Sequence, residues 1–329
     1  MRVLTWHVHG SYLYYLSHLP HQLYVPVREG RPEGYGGRAT GFDWPDNLVE
    51  VAFGDVKNLE IDCVLYQSRR NYEKDRFELL SEGQRRLPSI YLEHDPPREN
   101  PTETRHPFED SRGLLVHVTH FNDLMWDSGR APTRVIDHGV IVPPGVRYTG
   151  ELERGIAVVN GLGRRGRRLG VDVLARVREE IPIDLVGMES EEFGGAGEIG
   201  HTELPLFESR YRFFFNPIRY TSLGLAVCEA MMIGMPVLGL ATTEMVSAVK
   251  NDVTGWVETD VEALISHMRR LLEAPEEARR LGAAGREYAR RRFSIDRFLA
   301  DWDDAFALAV AMGPGREAAT RRSVKGVVS

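Results

Sequence analysis

Short apolar runs alternate with amphipathic stretches along most of the chain. In the first half, runs such as residues 2–8 and 62–68 have the length and the β-branched and aromatic content of buried strands. The same rhythm restarts near residue 156, where the run IAVVNG is soon followed by the helical stretch GVDVLARVREE. An alternation of this kind predicts parallel sheets with helices on both faces, which is the doubly wound α/β class.

A segment rich in proline and glycine, residues 142–155, separates the two series and is the best candidate for a linker. We therefore predict an N-terminal Rossmann-like domain over residues 1–147 and a C-terminal one over residues 148–296. Residues 297–312 have the apolar stripe of a helix, whereas residues 313–329 lack periodicity and are predicted to be disordered.

Composition narrows the class of protein. A chain of 329 residues with 42% hydrophobic residues is long enough to bury two cores. Its net charge of -7 argues against a nucleic-acid partner, which would need a basic face. The two cysteines, Cys63 and Cys228, lie in apolar runs and indicate a reducing compartment rather than a disulfide framework. With no signal-peptide pattern and no run of about 18 apolar residues, we expect a cytoplasmic protein, and contact with a membrane surface stays compatible with the sequence.

One carboxylate, Glu229, stands inside the apolar stretch that runs from Tyr220 to Val237. Gly224 is expected to begin a helix there, and the N–H groups of a helix start can bind a phosphate. Glu229 would follow one to two turns later, where its carboxylate can accept hydrogen bonds from the hydroxyls of a ribose. Spacing alone favours the simpler interpretation, in which this acid only reaches solvent.

The loop GLGRRGRRLG, residues 161–170, contains the glycine pattern of dinucleotide-binding folds, and Asp184 follows about 20 residues later. This pattern alone suggests NAD. The four arginines argue against it, because they would crowd a pyrophosphate that lies on the backbone. They suit bidentate contacts to phosphate, and a solvated basic turn remains the alternative.

The segment from Pro217 to Thr259 resembles the C-terminal signature of the retaining GT-B glycosyltransferases of family four, also called glycosyl transferases group 1. The ordered elements are NP, then a loop, then EAMMIG-MPV, then a further Glu and TGWV. Weaker similarity extends to YLEHD, to VTHFNDLMWDSGRAPTRVIDHGV and to FSIDRFLADWDDAF. The resemblance implies two Rossmann-like domains facing across a cleft, with the helix at 297–312 crossing back to the N-terminal domain.

It also implies an enzyme that transfers a sugar from a nucleoside-diphosphate sugar to an acceptor hydroxyl with retention of configuration. Glu229 then matches the family's ribose-binding glutamate, and Thr221 stands where the family has the glutamate that contacts the donor sugar. The family's cationic positions fall on Leu162 and Leu169, so the charge would have to come from shifted arginines. The implied donor-binding residues are Gly10, Arg164, Arg165, Arg168, Ser222, Leu223, Gly224, Leu225 and Glu229.

The N-terminal domain is expected to hold the acceptor and the transferred sugar. His94 and Asp95 end a predicted strand, and in the family the histidine at this place lies near the sugar. Together with Thr221 they are the candidate catalytic residues. Gly10 follows the first strand, where the family has two glycines that approach the donor phosphate.

The resemblance implies no organic cofactor and no metal, since the donor is itself a substrate. Two histidine pairs, His7 with His9 and His117 with His120, lack the accompanying ligands of a metal site. The expected partners are a nucleotide-sugar donor and a carbohydrate, lipid-linked or small-molecule acceptor, as in polysaccharide biosynthesis. Because Thr221, Leu162 and Leu169 depart from the pattern, a degenerate GT-B module that binds a nucleotide or a partner without turnover is the second hypothesis.

Overall fold

A computed structural model describes residues 1–313, and these form two compact units. The first unit contains Met1–Asp137 together with residues 298–313, and the second is His138–Arg297. The second unit therefore begins at His138, whereas the sequence placed the start of the C-terminal domain at residue 148. The disorder expected for residues 313–329 lies, from residue 314 on, outside the described residues.

The first unit is built on a sheet of seven strands, all parallel to their neighbours. The strands are β1 Arg2–Thr5, β2 Gln22–Val27, β3 Leu48–Ala52, β4 Cys63–Tyr66, β5 Ser89–Glu93, β6 Leu114–His117 and β7 Thr133–Val135. Their order across the sheet is β3-β2-β1-β4-β5-β6-β7. The accompanying helices are α1 Gly10–Leu16, α2 Arg76–Leu79 and α3 His120–Met125.

The second unit has a parallel sheet of five strands in the order β12-β11-β10-β8-β9. The strands are β8 Leu152–Val158, β9 Ile183–Val186, β10 Tyr211–Asn216, β11 Val237–Leu240 and β12 Gly255–Glu258. The helices are α4 Leu162–Arg165, α5 Val171–Arg178, α6 Leu204–Glu208, α7 Leu225–Ile233, α8 Met245–Ala248, α9 Val261–Glu273 and α10 Pro275–Arg292. The predicted α/β class with parallel sheets is confirmed.

The predicted linker is partly wrong. Residues 142–155 are not irregular throughout, because β8 begins at Leu152 and pairs with β10 and β9 on its two sides. In the registers of these pairs, Leu152 lies opposite Tyr211 and Gly155 opposite Ile183. Pairing on both edges fixes this polar start of the strand in an extended form that its own residues do not favour.

The last helix is α11 Ile295–Met312. It comes from the far end of the sequence, and from Phe298 on it belongs to the first unit. The side chains of Phe298 and Trp302 are fully buried. The Trp302 indole N–H donates to the Tyr12 hydroxyl at 3.1 Å, and the rings of Tyr12 and Phe298 meet edge to face with centroids 5.5 Å apart. This aromatic contact joins α11 to α1.

Each sheet has one place where successive connections leave in opposite directions. In the first sheet it lies between β1 and β4, since β2 and β3 are on the other side of β1. In the second sheet it lies between β8 and β10, since β9 is on the other side of β8. The loops at the carboxyl ends of these strand pairs diverge and leave a crevice, which is where ligands bind in open α/β sheets.

Candidate functional site

In the second unit, the loops that follow β8 and β10 hold most of the predicted donor-binding residues. The loop after β8 is the arginine loop, residues 161–170, and the loop after β10 runs from Pro217 to Gly224. They lie at the carboxyl ends of neighbouring strands, so the topology brings together two motifs that are more than 45 residues apart. This is the candidate donor site.

The arginine loop is a short helix, α4, followed by a 3-10 turn, Gly166–Leu169, and by Gly170 in the left-handed conformation. Leu162 and Leu169 are both buried in the core of the unit. The resemblance placed the family's two cations at these positions, and here both are core residues. Leu169 lies four residues before Val173 and eight before Val177, a helical spacing that could have identified it as a core position.

The arginines of this loop occupy different environments. Arg164 and Arg165 are exposed, and Arg164 lies 3.8 Å from a carboxylate oxygen of Glu189. Arg167 pairs with Asp172 at 2.5 Å. Arg168 is half-buried, and its carbonyl accepts the backbone N–H of Arg219 at 3.0 Å. Arg164 and Arg165 therefore have the exposure needed to meet an anionic ligand.

Arg219 joins the two loops and was not identified from the sequence. Its guanidinium donates to both carboxylate oxygens of Asp172, at 2.5 and 2.8 Å, and to the Arg167 carbonyl at 2.8 Å. These hydrogen bonds from Arg219 are the main reason why the pKa of Asp172 falls to about 2. The link holds the residues before Thr221 against the arginine loop, with Thr221 itself half-buried two positions further on.

The turn into α7 is held through its carbonyl groups. His138 donates from Nε2 to the Leu223 carbonyl at 2.8 Å, and the Thr243 hydroxyl donates to the Ser222 carbonyl at 3.3 Å. Thr243 has a φ of +51°, which is unfavourable for a β-branched residue. The carbonyls of Ser222 and Leu223 therefore accept side-chain hydrogen bonds. The backbone N–H groups of Gly224 and Leu225 lie at the N-terminus of α7.

Glu229 lies in the second turn of α7 and is buried, so the interpretation as a solvated acid is wrong. Helix α6 packs against α7 and brings a second acid, Glu208, into the same region. Glu208 is fully buried, and within residues 1–313 neither of its carboxylate oxygens has a hydrogen-bond partner. Burial first, and the charge of Glu229 second, raise the pKa of Glu208 well above its ordinary value.

In the first unit, the candidate residues lie at the carboxyl ends of β1, β4 and β5, next to the divergence between β1 and β4. Gly10 begins α1, and a Cβ there would lie 3.3 Å from both His7 Nε2 and the ring of Phe42. His94 follows β5, and its ring meets the ring of His9 at a centroid distance of 4.2 Å. The structure therefore brings Gly10 and His94 to the same edge of this sheet.

Asp95 is held by its main chain. Its N–H donates to Glu93 Oε1 at 2.9 Å, and its carbonyl accepts the Trp126 indole N–H at 2.8 Å. The carboxylate pairs with Arg98 at the surface. Asp95 thus acts mainly as a fixed point of the backbone beside His94.

The dinucleotide-binding alternative finds little support in the structure. Asp184, the acid of the dinucleotide pattern, lies inside β9 rather than after it, and its carboxylate accepts the Tyr211 hydroxyl at 2.9 Å. Asp184 therefore binds Tyr211 and does not lie at the strand end, where the acid of a dinucleotide-binding fold would contact a ribose. Within the described residues, no group of three or more His, Cys, Asp or Glu side chains is placed to hold a metal ion. No helix in residues 1–313 is both long and apolar enough to cross a membrane.

Comparisons with known proteins agree with this architecture. Residues 191–288, which include α7 and Glu229, match the family model for glycosyl transferases group 1. No curated protein sequence matches the chain. Among solved structures, a sucrose-phosphate synthase from Thermosynechococcus elongatus shares 16% sequence identity with a TM-score of 0.69, over 94% of this chain and 99% of the other.

Two further solved structures are similar. HepE from Anabaena, in complex with UDP-glucose, has 13% identity and a TM-score of 0.66, over 93% of this chain and 99% of HepE. A TarM variant from S. aureus, in complex with Fondaparinux, alpha-GlcNAc-glycerol and UDP, has 13% identity and a TM-score of 0.56, over 74% of this chain and 55% of TarM. At these identities the similarity shows the fold. The chain has the GT-B fold, and the resemblance to glycosyl transferases group 1 is confirmed.

Proposed function

We propose that the protein transfers a sugar from a nucleoside-diphosphate sugar to an acceptor hydroxyl, with retention of the anomeric configuration. The bond from the sugar C1 to the diphosphate oxygen breaks and its electron pair leaves with the diphosphate, while C1 bonds to the acceptor oxygen and the proton of the acceptor hydroxyl passes to the departing diphosphate. Carbohydrate, lipid-linked and small-molecule acceptors all fit this reaction, and polysaccharide biosynthesis is the process that it suggests.

The observation that carries the proposal is the buried carboxylate of Glu229 in the second turn of α7. The helix begins at the divergence between β8 and β10, where its first N–H groups suit a phosphate. An acid buried one turn behind a phosphate site would repel the phosphate, but it can accept hydrogen bonds from the ribose hydroxyls beside it. HepE was solved in complex with UDP-glucose and TarM in complex with UDP, which supports a nucleotide of this class here.

The arginine loop supplies the positive charge in this proposal. Negative charge grows on the diphosphate as the sugar leaves, so fixed cations aimed at it lower the barrier. Arg164 and Arg165 are the exposed candidates, and Arg168 lies beside the loop that contains Thr221. Thr221 offers a hydroxyl to the donor sugar in place of the family's carboxylate, so it can donate a hydrogen bond but cannot add a charge.

The first unit is proposed to hold the acceptor and the transferred sugar beside Gly10, His94 and Asp95. His94 is half-buried at the end of β5, and its neighbours fix both its ring and the following main chain. No organic cofactor takes part, because the bond that is broken belongs to the donor substrate itself.

Thermal unfolding in the presence of nucleotides tests the proposal, with UDP, GDP, ADP, CMP, dTDP and NAD as probes. A ligand that binds the folded state at 100 times its Kd adds about 2.7 kcal/mol to the free energy of unfolding. We expect a clear rise in Tm with one nucleoside diphosphate, abolished in Glu229→Gln and kept in Glu203→Gln, where an exposed acid of the same unit is changed. A shift with NAD alone, or with no nucleotide, would contradict the proposal.

A GT-B module that binds a nucleotide without turnover is the second candidate. It is favoured by the burial of Leu162 and Leu169 in the core and by the absence of a carboxylate at Thr221. Release of the nucleoside diphosphate from matching sugar nucleotides, with and without acceptors, separates the two. Binding without release would select the module, whereas transfer to an acceptor, with its anomeric configuration determined by NMR, would select the enzyme.

A further inference from the structure

Two arginines of α10 lie beside the end of α7 that is far from the candidate donor site. Arg286 is half-buried, and its Nε donates to the carbonyl of Met232, in the last turn of α7, at 3.1 Å. Arg290 is exposed and follows Arg286 by four residues. Residues at this spacing are neighbours on one face of a helix, so the two guanidinium groups belong to the same surface.

A third arginine reaches this surface from the chain before β8. A Cβ on Gly234, which follows α7, would lie 3.5 Å from Cδ of Arg286 and 3.7 Å from Cβ of Tyr148. The stem of Arg286 and residue 148 therefore border the same small space, and Arg147 is the exposed residue next to Tyr148. The charges of Arg290 and Arg147 both act on Arg286. We call Arg147, Arg286 and Arg290 the arginine triad.

The backbone that carries the triad is tightly held. A Cβ on Gly282 would lie 1.9 Å from the Gly234 carbonyl oxygen, so α10 passes against the end of α7 with no room for a side chain between them. The Tyr148 hydroxyl donates to the Arg212 carbonyl at 2.7 Å and anchors the chain beside Arg147. The three arginines thus start from fixed positions.

The triad differs from the other arginines of α10 in its lack of acidic partners. Those arginines form ion pairs: Arg279 with Glu276, Arg280 with Glu277, Arg291 with Glu287 and Arg292 with Glu244. Within residues 1–313, Arg147, Arg286 and Arg290 form none. Acidic residues outnumber basic ones in the chain, 48 to 41, so a shortage of acids does not explain the difference.

The three unpaired cations repel one another. Burial first, and then the charges of Arg290 and Arg147, lower the pKa of the Arg286 guanidinium from its usual value. Of the Arg286 donors, only Nε has a hydrogen-bond partner within the described residues, and both Nη groups are left to donate. An anion between the three side chains would remove the repulsion and accept these hydrogen bonds.

We propose that the arginine triad is a binding site for a phosphate group. Each guanidinium presents parallel N–H donors that match two phosphate oxygens, and a phosphate carries enough charge to meet several cations. Helix α7 has nine residues and is about 14 Å long, which separates the triad from the donor site at its first turn. The proposal therefore does not depend on the proposed transfer reaction. A free phosphate compound and a phospholipid headgroup are the two sources of such a group.

Thermal unfolding in inorganic phosphate, compared with chloride at equal ionic strength, tests the site. The wild-type Tm should rise with phosphate concentration, because the anion binds the folded state. In Arg147→Gln/Arg290→Gln, the triad variant, the Kd for phosphate should increase about 10-fold or more, since charge-assisted hydrogen bonds are lost. Arg286 is kept in this variant because it also binds the end of α7.

Arg280→Gln/Arg291→Gln is the matched control. It removes the same charge from two exposed arginines of α10 that are paired with acids, and it should keep the wild-type Kd for phosphate. A rise in Kd equal to that of the triad variant would show that only the net charge of the helix matters, and would overturn the proposal.

A second comparison separates the triad from the donor site. Arg164→Gln/Arg165→Gln changes the exposed cations of the arginine loop and should also keep the Kd for phosphate. No rise in Tm with phosphate, an unchanged Kd in the triad variant, or a loss of binding in Arg164→Gln/Arg165→Gln would each overturn the proposal. If no nucleoside diphosphate binds, the proposed function fails, while the phosphate result still decides the role of the triad.

Co-sedimentation with vesicles distinguishes the two sources of phosphate. Vesicles of phosphatidylcholine mixed with phosphatidic acid present phosphate monoesters, whereas vesicles of phosphatidylcholine alone do not. If the source is a lipid, the wild type and Arg280→Gln/Arg291→Gln sediment with the mixed vesicles and the triad variant does not. A rise in Tm with phosphate but no sedimentation of the wild type assigns the site to a free phosphate compound.

Discussion

At the strand ends of the first unit, the buried, neutral amide of Gln67 contacts His94, whereas in the second unit Arg164 and Arg165 lie exposed, with Arg164 3.8 Å from a carboxylate oxygen of Glu189. A neutral hydrogen bond between packed groups fixes a direction and responds little to salt. Exposed cations attract a charged ligand over a distance but are screened within about 8 Å at physiological ionic strength. The two sets of side chains should therefore differ in their response to salt, weak in the first unit and stronger in the second.

The arginine loop of the second unit is also held rigidly, but by a contact between two main-chain segments. Gly170, at the end of the arginine loop, approaches the chain after β10 so closely that a Cβ would lie 1.9 Å from the Pro217 carbonyl oxygen. The loop is thus fixed by main-chain contact, while its guanidinium groups reach outward. The comparison predicts that backbone changes will damage this unit far more than changes of surface charge.

The largest effect is expected for Gly170→Ala. Gly170 has a φ of +80°, so alanine adds left-handed strain to the overlap with Pro217, and we expect a loss of about 3 kcal/mol in the free energy of unfolding. Denaturant unfolding of the full chain measures it. Gly194→Ala is the control, because Gly194 has the same left-handed conformation, with a φ of +66°, but nothing lies within 4 Å of the added Cβ, so only strain of about 1 kcal/mol remains. Equal losses in the two variants would show that the close approach is unimportant.

An intermediate, pH-dependent effect is expected for Glu208→Leu. The raised pKa keeps Glu208 protonated in the folded state while the unfolded chain ionises, so wild-type stability is greatest below the ordinary pKa and falls as the pH rises towards the folded value. The slope is at most about 1.4 kcal/mol per pH unit. Leucine removes it and should stabilise the protein at pH 8.

Unfolding curves between pH 5 and 8 measure this difference between wild type and Glu208→Leu. Glu203→Gln, five residues earlier and exposed, should retain the wild-type slope. Parallel pH profiles for wild type and Glu208→Leu would mean that Glu208 is charged and solvated in the folded state.

The smallest effect is expected for Asp172→Asn. The lowered pKa of Asp172 means that its contribution is present above about pH 4 and is lost as the pH falls towards 2. Its side chain is 37% exposed, so the pair with Arg219 should contribute at most about 1 kcal/mol. In 1 M salt the difference in the free energy of unfolding between Asp172→Asn and wild type should shrink, because exposed ion pairs are screened. If the loss of unfolding free energy in Asp172→Asn does not depend on salt, the expected salt sensitivity of the second unit is wrong.

Much of this architecture follows from local patterns. The alternation of strands and helices predicts both parallel sheets, and the lone acid in an apolar helix draws attention to Glu229. The family's two cation positions fall on Leu162 and Leu169, and the structure buries both leucines in the core. The expectation that shifted arginines supply the charge stays a prediction.

The residues that position the candidate sites were beyond sequence reasoning for a different reason. Gln67 meets Trp6 and His94 across 61 and 27 residues, and Arg219 meets Asp172 across 47. A glutamine after a strand and an arginine in a loop are common, and nothing local marks their partners. Only the strand order brings these groups together, since it places the ends of β1, β4 and β5 side by side in one sheet and those of β8 and β10 side by side in the other.

The contact between Trp302 and Tyr12 spans 290 residues and has a consequence for synthesis on the ribosome. The second unit, His138–Arg297, is one continuous stretch, so all of its chain is available before α11 emerges. The first unit begins earlier but has to wait for its closing helix, with Tyr12 lacking the partners that bury it. The part of the protein that is made first is therefore the part that finishes folding last, and during that interval its apolar surface is the one exposed to chaperones and to aggregation.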